Sequence, residues 1–464
     1  MFKIVPTLKK CANRCIPVAS LFLLTSLNAH GQAWTVVGAP GVSAGSVSDI
    51  SMVAVGKADI DTIYVAYKDG SASASSGLTV QMYTTSGGWG TLGGPGSVGH
   101  NIRSTSMVLN AGLPTVGFAW GDHAYKANIQ TYNGSGWGAM TGGTDCSFDA
   151  INNVVIANLG PTFYLGYSDS NTNQFCVKNY LGSAFGTCAY ASAGAASYNS
   201  LAIYNSSTPM TLCIDAGASN LPTAMYFNGS SWTAIGSSLS SSQCAYTKIA
   251  TNGSVTYAVF SDNGTGKQDV AYKFTGTPSS STTWLNVGPV AGFTTDEADY
   301  NSLAIEPATS NPVVAFKRAT NGKANVMHFD GTNWVSVGAA DFSAAGADYT
   351  TLALNRGGDY FVAFADAANG GKLTVMKFNN PLSVPTVEPI TSSLHVYPNP
   401  NNGSFTVKSD IKGVYSITNL IGQTIQTIEL NGTNNNTVTV SNLNNGVYFI
   451  KGTDGVNQKV VVAK

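Results

Sequence analysis

Tyr300-Asn301-Ser302-Leu303-Ala304-Ile305 is the stretch from which the fold follows, because the chain repeats it. The same pattern stands at Tyr198-Asn-Ser-Leu-Ala-Ile203, Tyr246-Thr-Lys-Ile-Ala-Thr251 and Tyr349-Thr-Thr-Leu-Ala-Leu354, and earlier segments keep it in degenerate form. Each copy reads as a short strand. A second strand follows and ends in an aromatic-x-Asp pattern: Tyr67-Lys-Asp69, Trp120-Gly-Asp122, Tyr167-Ser-Asp169, Phe260-Ser-Asp262 and Phe364-Ala-Asp366. Cys213-Ile-Asp215 varies the aromatic, and Phe316-Lys-Arg318 replaces the Asp. A third strand runs into Asn133-Gly134, Asn228-Gly229 or Asp330-Gly331, a two-residue hairpin signature. Trp34, Trp89, Trp137, Phe185, Trp232, Trp284 and Trp334 then open a fourth strand at intervals of 47 to 55 residues.

Four short antiparallel strands recurring in this way cannot bury their faces singly, so they stack radially. The expectation is an all-β chain whose residues 32–382 form a seven-bladed β-propeller. The last unit, from Ala339, stops after Leu373–Phe378 without a Trp strand, while Ala33-Trp-Thr-Val-Val-Gly38 opens the repeat as an orphan. That N-terminal strand is expected to complete the last blade and remove an open edge.

Composition agrees with a large uncharged β protein. Charged residues are 10% of the 464, against a norm of about 25%. With 23 Lys+Arg and 24 Asp+Glu the net charge is -1, so no basic surplus exists for nucleic acid or an anionic membrane surface. A 43% hydrophobic content supplies a core, and 51 Gly supply turns.

Lys3, Lys9, Lys10 and Arg14 precede the apolar run Ile16–Leu27, and Ala29-His30-Gly31 places small residues before Gln32. Residues 1–31 therefore read as a secretory signal peptide. The run is shorter than the roughly 20 residues that cross a bilayer, so no transmembrane segment is expected in the mature chain. Cysteines 146, 176, 188, 213 and 244 then face a compartment where disulfides persist. Cys176 and Cys188 lie six residues either side of Gly182, and a hairpin turning there would set them opposite each other. They are the disulfide candidate. No C-x-x-C spacing suggests a thiolate metal site.

The aromatic-x-Asp residues would share one face of a propeller. As a ring they could hold a cation or a sugar, but a residue repeated in each unit more simply closes a turn onto backbone N–H groups. The sixth and seventh units concentrate acid and aromatic side chains on this rim. Asp296, Asp299, Tyr300, Asp348 and Tyr349, with Arg318 where the motif breaks, are the ligand-binding candidates. Carboxylates accept sugar hydroxyls in pairs, and aromatic faces cover the apolar side of a sugar ring. Solvated loops are the plainer reading. No cofactor is called for; calcium is the one ion such carboxylates would suit. The recurring Trp suits core packing better than sugar stacking.

Evidence for catalysis is thin. Arg103, Arg318 and Arg356 cannot converge into the arginine cluster of a sialidase-like site, and His100, His123, His328 and His395 fall in no metal-ligand spacing. No Gly-x-Ser-x-Gly elbow occurs. Asp299 and Asp348 facing each other as a glycosidase pair stay open. No catalytic residue is assigned.

After Phe378 the repeat ends. Residues 383–393 fall in a Pro/Ser-rich linker, and 394–464 carry short alternating strands with Asn/Gly turns, the pattern of a small Ig-like β-sandwich. Val396-Tyr-Pro-Asn-Pro-Asn-Asn-Gly-Ser-Phe405, Ile417-Thr-Asn-Leu-Ile-Gly-Gln423, Leu443-Asn-Asn-Gly-Val-Tyr-Phe-Ile-Lys451 and Lys459-Val-Val-Val-Ala-Lys464 occur in order. They resemble the type A C-terminal sorting domain of the type IX secretion system. Pro398, Asn399, Pro400, Gly403, Gly422, Gly446, Tyr448, Lys459 and Lys464 carry the resemblance. It implies export from a Gram-negative bacterium to the cell surface or medium, with the translocon and a sortase as partners and Lys459 and Lys464 as contact candidates. The whole chain then reads as exported cargo whose propeller binds surface glycans or adhesion ligands. The alternatives are a secreted polysaccharide-degrading enzyme and a structural surface protein without a small-molecule site.

Overall fold

The computed structural model describes residues 33–57, 60–71, 76–160, 162–205, 207–379, 394–409, 412–419, 423–452 and 457–464. The signal segment 1–31, the linker 383–393 and Gly422 lie outside the described residues. The chain splits into two compact units, 1–55 with 61–380, and 381–464 with the short piece 56–60. Both are all-β: among the described residues the elements are strands and three-residue 3-10 turns, and no helix is long and apolar enough to cross a membrane.

In the first unit the repeated stretches are the innermost strands. They run Val47–Lys57, Arg103–Asn110, Ile151–Leu159, Ala189–Tyr204, Cys244–Thr251, Ala298–Ile305 and Ala347–Leu354. Each pairs antiparallel with the next strand in sequence, which pairs with a third. Most sheets end in a short outer strand, such as Trp137–Ala139 or Trp334–Ser336. Ala189–Tyr204, at 16 residues, serves twice. Its first half pairs with Gln174–Asn179 and its second with Thr208–Asp215, which joins two four-stranded patterns into one seven-stranded sheet.

The orphan N-terminal strand finds the place expected of it. Thr35 pairs with Lys377 and Val36 with Met376, so Thr35–Val36 forms the outer strand of the sheet built from the last repeat. The cores lie between successive sheets because both faces of each sheet are apolar. Ala66, Leu78 and Val80 pack on Met107, Val116 and Phe118, while Val313, Ala315 and Val326 pack on Leu352, Tyr360 and Val362. Ile63, Val65 and Tyr67 pack on Phe361, Ala363 and Val375, which sets the first sheet against the last. Sheets stacked face to face in sequence, with the last returning to the first, make a β-propeller.

The Trp anchors tie neighbouring sheets together. Each indole Nε1 donates to a backbone carbonyl outside its own sheet's Trp strand: Trp89 to Val37 at 2.8 Å, Trp137 to Leu92 at 2.8 Å, Trp284 to Ile235 at 2.8 Å, Trp334 to Val287 at 2.7 Å and Trp34 to Val337 at 2.8 Å. Trp232 donates to Ala189 at 3.2 Å. The Trp-x-x-x-Gly spacing follows from the same contact. A Cβ on Gly38 would come within 2.8 Å of the Trp89 ring, and one on Gly288 within 2.6 Å of Trp334; both glycines have positive φ.

The structure joins Cys176 to Cys188 in a disulfide with Cα atoms 5.6 Å apart. Cys146, Cys213 and Cys244 are buried thiols.

The second unit has two sheets. Leu394–Tyr397, Ser404–Ser409 and Thr437–Ser441 form one; Thr424–Leu430, Gly413–Asn419, Gly446–Gly452 and Asn457–Val462 form the other. Phe405, Val407 and Val440 from the first meet Tyr415, Ile417, Ile450 and Val460 from the second in one core. The strand Leu394–Tyr397 had no separate signal, because its alternation merges with the Pro-Asn-Pro motif.

Candidate functional site

Each inner strand of the later repeats begins with a bulge. The register shifts between Ser197 and Ser200, Ala245 and Lys248, Asp299 and Ser302, and Asp348 and Thr351. The bulged residues Tyr198, Tyr246, Tyr300 and Tyr349 have φ of 52°, 53°, 54° and 57°. A left-handed backbone costs a non-glycine residue about 1 kcal/mol or more, and it costs that at four tyrosines here. The result is that four phenol rings come together. Ring centroids lie 4.9 Å apart for Tyr198–Tyr246, 5.6 Å for Tyr246–Tyr300 and 5.2 Å for Tyr300–Tyr349, all tilted by 44–56°. They form an aromatic crescent.

The crescent borders a cavity of about 330 Å³ lined by residues from all seven inner strands. Asp49, Ser104 and Asn153 occupy the remaining arc. Aromatic residues on one side and small polar ones on the other give this opening two unlike walls.

Charge gathers beside Tyr300. Lys317 Nζ lies 2.8 Å from Asp348 Oδ1 and 3.8 Å from Asp299 Oδ2, and 5.1 Å from the Tyr300 ring centroid. Burial holds the Asp299 carboxyl above its ordinary range, with Lys317 acting against it. Burial, helped by Asp348, pushes the Tyr300 phenol up to about 12, so it stays a protonated hydrogen-bond donor at neutral pH.

The six sequence candidates divide into two groups. Asp299, Tyr300, Asp348 and Tyr349 meet around Lys317 and the crescent. Asp296 and Arg318 belong to a separate loop cluster: Arg318 Nη1 donates to Asp341 at 2.7 Å, Nη2 donates to Thr295, and Nε stands 3.4 Å from Asp296. Thr320 donates to Asp296 at 2.7 Å. These two side chains pin loops to one another; of the six candidates Tyr300 and Tyr349 line the cavity, with Asp299 and Asp348 beside it through Lys317.

Sequence reasoning had left out Lys317, Tyr198 and Tyr246. Lys317 sits in the Phe316-Lys-Arg318 stretch, where attention went to the arginine; the two tyrosines stood in the repeat and read as strand markers.

Five of the six aromatic-x-Asp residues close turns; the sixth, Asp122, instead accepts from the Trp120 indole at 3.3 Å. Asp215 accepts the N–H groups of Gly217, Ala193 and Gly194 at 2.8, 2.8 and 2.9 Å. Asp69 accepts from Ser71, Asp169 from Asn171, Asp262 from Gly264 and Asp366 from Ala368. Each such carboxylate satisfies donors that would otherwise be orphaned in a turn. Among the described residues no three His, Cys, Asp or Glu side chains converge as a metal site.

In the second unit the Pro398-Asn399-Pro400 loop is laced to the last strand. Asn399 Nδ2 donates to the Lys459 carbonyl at 2.7 Å and its Oδ1 accepts the Val461 N–H at 2.9 Å. Gly403 has φ 106°, and a Cβ there would lie 2.4 Å from the Lys464 side chain. Gly446 opens its strand, and Tyr448 is buried with its hydroxyl donating to Asn444. Lys459 and Lys464 are exposed.

Among solved structures, a PL25 ulvan lyase bound to -[GlcA(1-4)Rha3S]- is 10% identical with a TM-score of 0.48, covering 74% of this chain and 96% of that one. A six-bladed β-propeller fungal lectin from Aleuria aurantia with a fucose recognition mode is 12% identical with a TM-score of 0.44, covering 63% and 95%. The Dos1 propeller is 9% identical with a TM-score of 0.43, covering 75% and 95%. No residue role passes from them to this chain. No curated protein matches it. Residues 395–463 match the secretion system C-terminal sorting domain, and they contain every described residue of the sorting motif except the terminal Lys464. The C-terminal unit is therefore a secretion-system sorting domain, fused to a propeller.

Proposed function

We propose that this protein is cargo of the type IX secretion system, with a signal peptide at 1–31, a seven-bladed β-propeller at 32–382, a linker at 383–393 and an Ig-like sorting domain at 394–464. The propeller binds glycans at the channel mouth, outside the cell or on its surface. The observation that carries this reading is the crescent of Tyr198, Tyr246, Tyr300 and Tyr349 beside the Asp299–Lys317–Asp348 group. Phenol faces cover the C–H face of a pyranose, and the adjoining carboxylates accept its hydroxyls.

Export and binding are tested separately. Deleting residues 394–464 should hold the passenger in the periplasm, and a deletion variant still reaching the medium would refute the export reading. A glycan array probed with the mature chain, with and without calcium, should give discrete binding that is lost in the Asp299→Ala/Asp348→Ala variant. A folded mature chain that binds no glycan would refute the lectin reading.

Cleavage of a polysaccharide is the second reading, favoured by one observation: burial keeps Asp299 above the ordinary carboxylate range next to a second carboxylate, the arrangement of a general acid and its partner. Release of reducing ends from a bound glycan, absent in Asp299→Asn, would select it.

A further inference from the structure

A repeated clasp joins the inner strands. Ser51 Oγ accepts the Met107 N–H at 2.9 Å, Ser106 Oγ that of Ile156 at 3.0 Å, Ser200 Oγ that of Ile249 at 3.0 Å and Ser302 Oγ that of Leu352 at 3.0 Å. In Tyr198-Asn-Ser and Tyr300-Asn-Ser the clasping serine is the third residue, and in Tyr246-Thr-Lys that place is taken by Lys248. The strand between two clasping strands therefore has Lys248 where its neighbours have Ser200 and Ser302. An ammonium has three donors and no acceptor, so Lys248 cannot make this bond.

Lys248 lines the channel cavity with Ser51, Ser106, Ser200 and Ser302. Lys248 is part-buried, and desolvation lowers its pKa; among the described residues it takes part in no ion pair. Further along, the inner strands present Ala250, Ala202, Ala157 and Val108, which line a second hollow together with Asn158, Asn205 and Asn252. A part-buried charge without a partner is still costly, and chains normally supply a counter-charge or replace the residue. The clasping serines add a second feature. Each uses its oxygen to accept a backbone N–H and retains its own O–H as a donor. Level with Lys248 the described inner strands place Ser51, Ser106, Val155, Ser200, Ser302 and Thr351, a layer rich in donors and without a carboxylate.

We infer that the channel binds an oxyanion carried by the ligand, a carboxylate or a sulfate or phosphate ester, with Lys248 as its counter-charge and the clasping serine hydroxyls as further donors. The inference rests on the glycan reading for the body of the ligand, and it narrows the class to an acidic sugar bound end-on. The charged group enters the channel while the neutral hydroxyls stay at the mouth, where Asp49, Asp299 and Asp348 accept them. An anion lying at the mouth would meet those carboxylates, of which Lys317 offsets only part; an anion lowered to Lys248 avoids them.

The test uses the mature chain and calorimetric titration with three probes at matched ionic strength: sodium glucuronate, glucose and inorganic phosphate. Glucuronate should bind about tenfold or more tightly than glucose, the scale of one charge-assisted contact. Lys248→Ser, which installs the residue its neighbours carry, and Lys248→Met should both abolish that ratio. Lys248→Arg should retain it. Equal binding of glucuronate and glucose by the wild type overturns the anion site and leaves the glycan reading standing. Phosphate binding that depends on Lys248, with both sugars silent, supports the anion site and removes the glycan reading. Silence of all three probes with a folded chain overturns both.

Discussion

Lys377 Nζ lies 2.7 Å from Asp61 Oδ2, although 316 residues separate them in the chain. Lys377 belongs to the last repeat and Asp61 to the first. Asp359 stands 3.1 Å from the same ammonium, and Asn355 donates to both carboxylates at 2.9 and 3.1 Å. Both carboxylates are buried. Burial works against the Lys377 charge, and its hydrogen bonds to Asp61 and Asp359 outweigh that and raise its pKa. Lys377→Met should cost about 3–5 kcal/mol, because it strands two buried carboxylates. The urea midpoint reads this directly; a loss below about 1 kcal/mol would show that the cluster does not hold the first sheet to the last.

The indole tethers predict a small, uniform cost. Trp334→Phe keeps the ring but removes the donor to Val287 and should lower stability by about 1–2 kcal/mol, leaving a buried carbonyl unsatisfied. Glycan binding should not change. The third repeat, with Phe185 in this place, shows that the fold tolerates one missing tether.

Backbone strain at the crescent separates stability from binding. Tyr198 is the most exposed of the four tyrosines, at 43%. Tyr198→Gly should be more stable than Tyr198→Ala by about 1 kcal/mol, since only glycine relieves the positive φ. Both variants remove an aromatic face and should weaken ligand binding alike. An alanine variant at least as stable as the glycine one would contradict the strained backbone.

A pH effect follows from Asp269. It is fully buried, its Oδ1 accepts from Asn301 at 2.6 Å, and burial pushes its carboxyl from its ordinary value of 3.8 up to about 7. Between about pH 4 and 7 the folded chain therefore keeps a proton that the unfolded chain has lost. This group's contribution to stability is full below pH 4 and is lost as pH rises through 7. Asp269→Asn should flatten that decline and gain on the order of 3 kcal/mol at pH 8 relative to its own effect at pH 4. Denaturation midpoints at the two pH values measure the difference.

The repeat, the N-terminal closing strand and the sorting motif were legible because each is carried by residues near one another in sequence. Tyr198-Asn-Ser-Leu-Ala-Ile203 announces a strand wherever it sits, and Asn228-Gly229 announces its turn. The rim was half legible. Asp299 and Tyr300 are adjacent in the chain, and so are Asp348 and Tyr349, but Lys317 joins the two pairs from a different strand, and nothing local marks it. Arg318, which broke the motif visibly, turned out to anchor loops through Asp341 and Thr295.

By itself the sequence determined a β-sheet repeat closed by its own N-terminus and followed by an export address, because strand period, turn chemistry and motif order are local properties. Only the tertiary structure decided what the repeated positions do. Bulged tyrosines from four strands became one aromatic wall, recurring tryptophans became tethers between strands far apart in sequence, and Lys248 came to lie among four serine hydroxyls. Those roles depend on groups roughly one repeat apart meeting around a common axis, and distance in space across that axis is not encoded in any single stretch of chain.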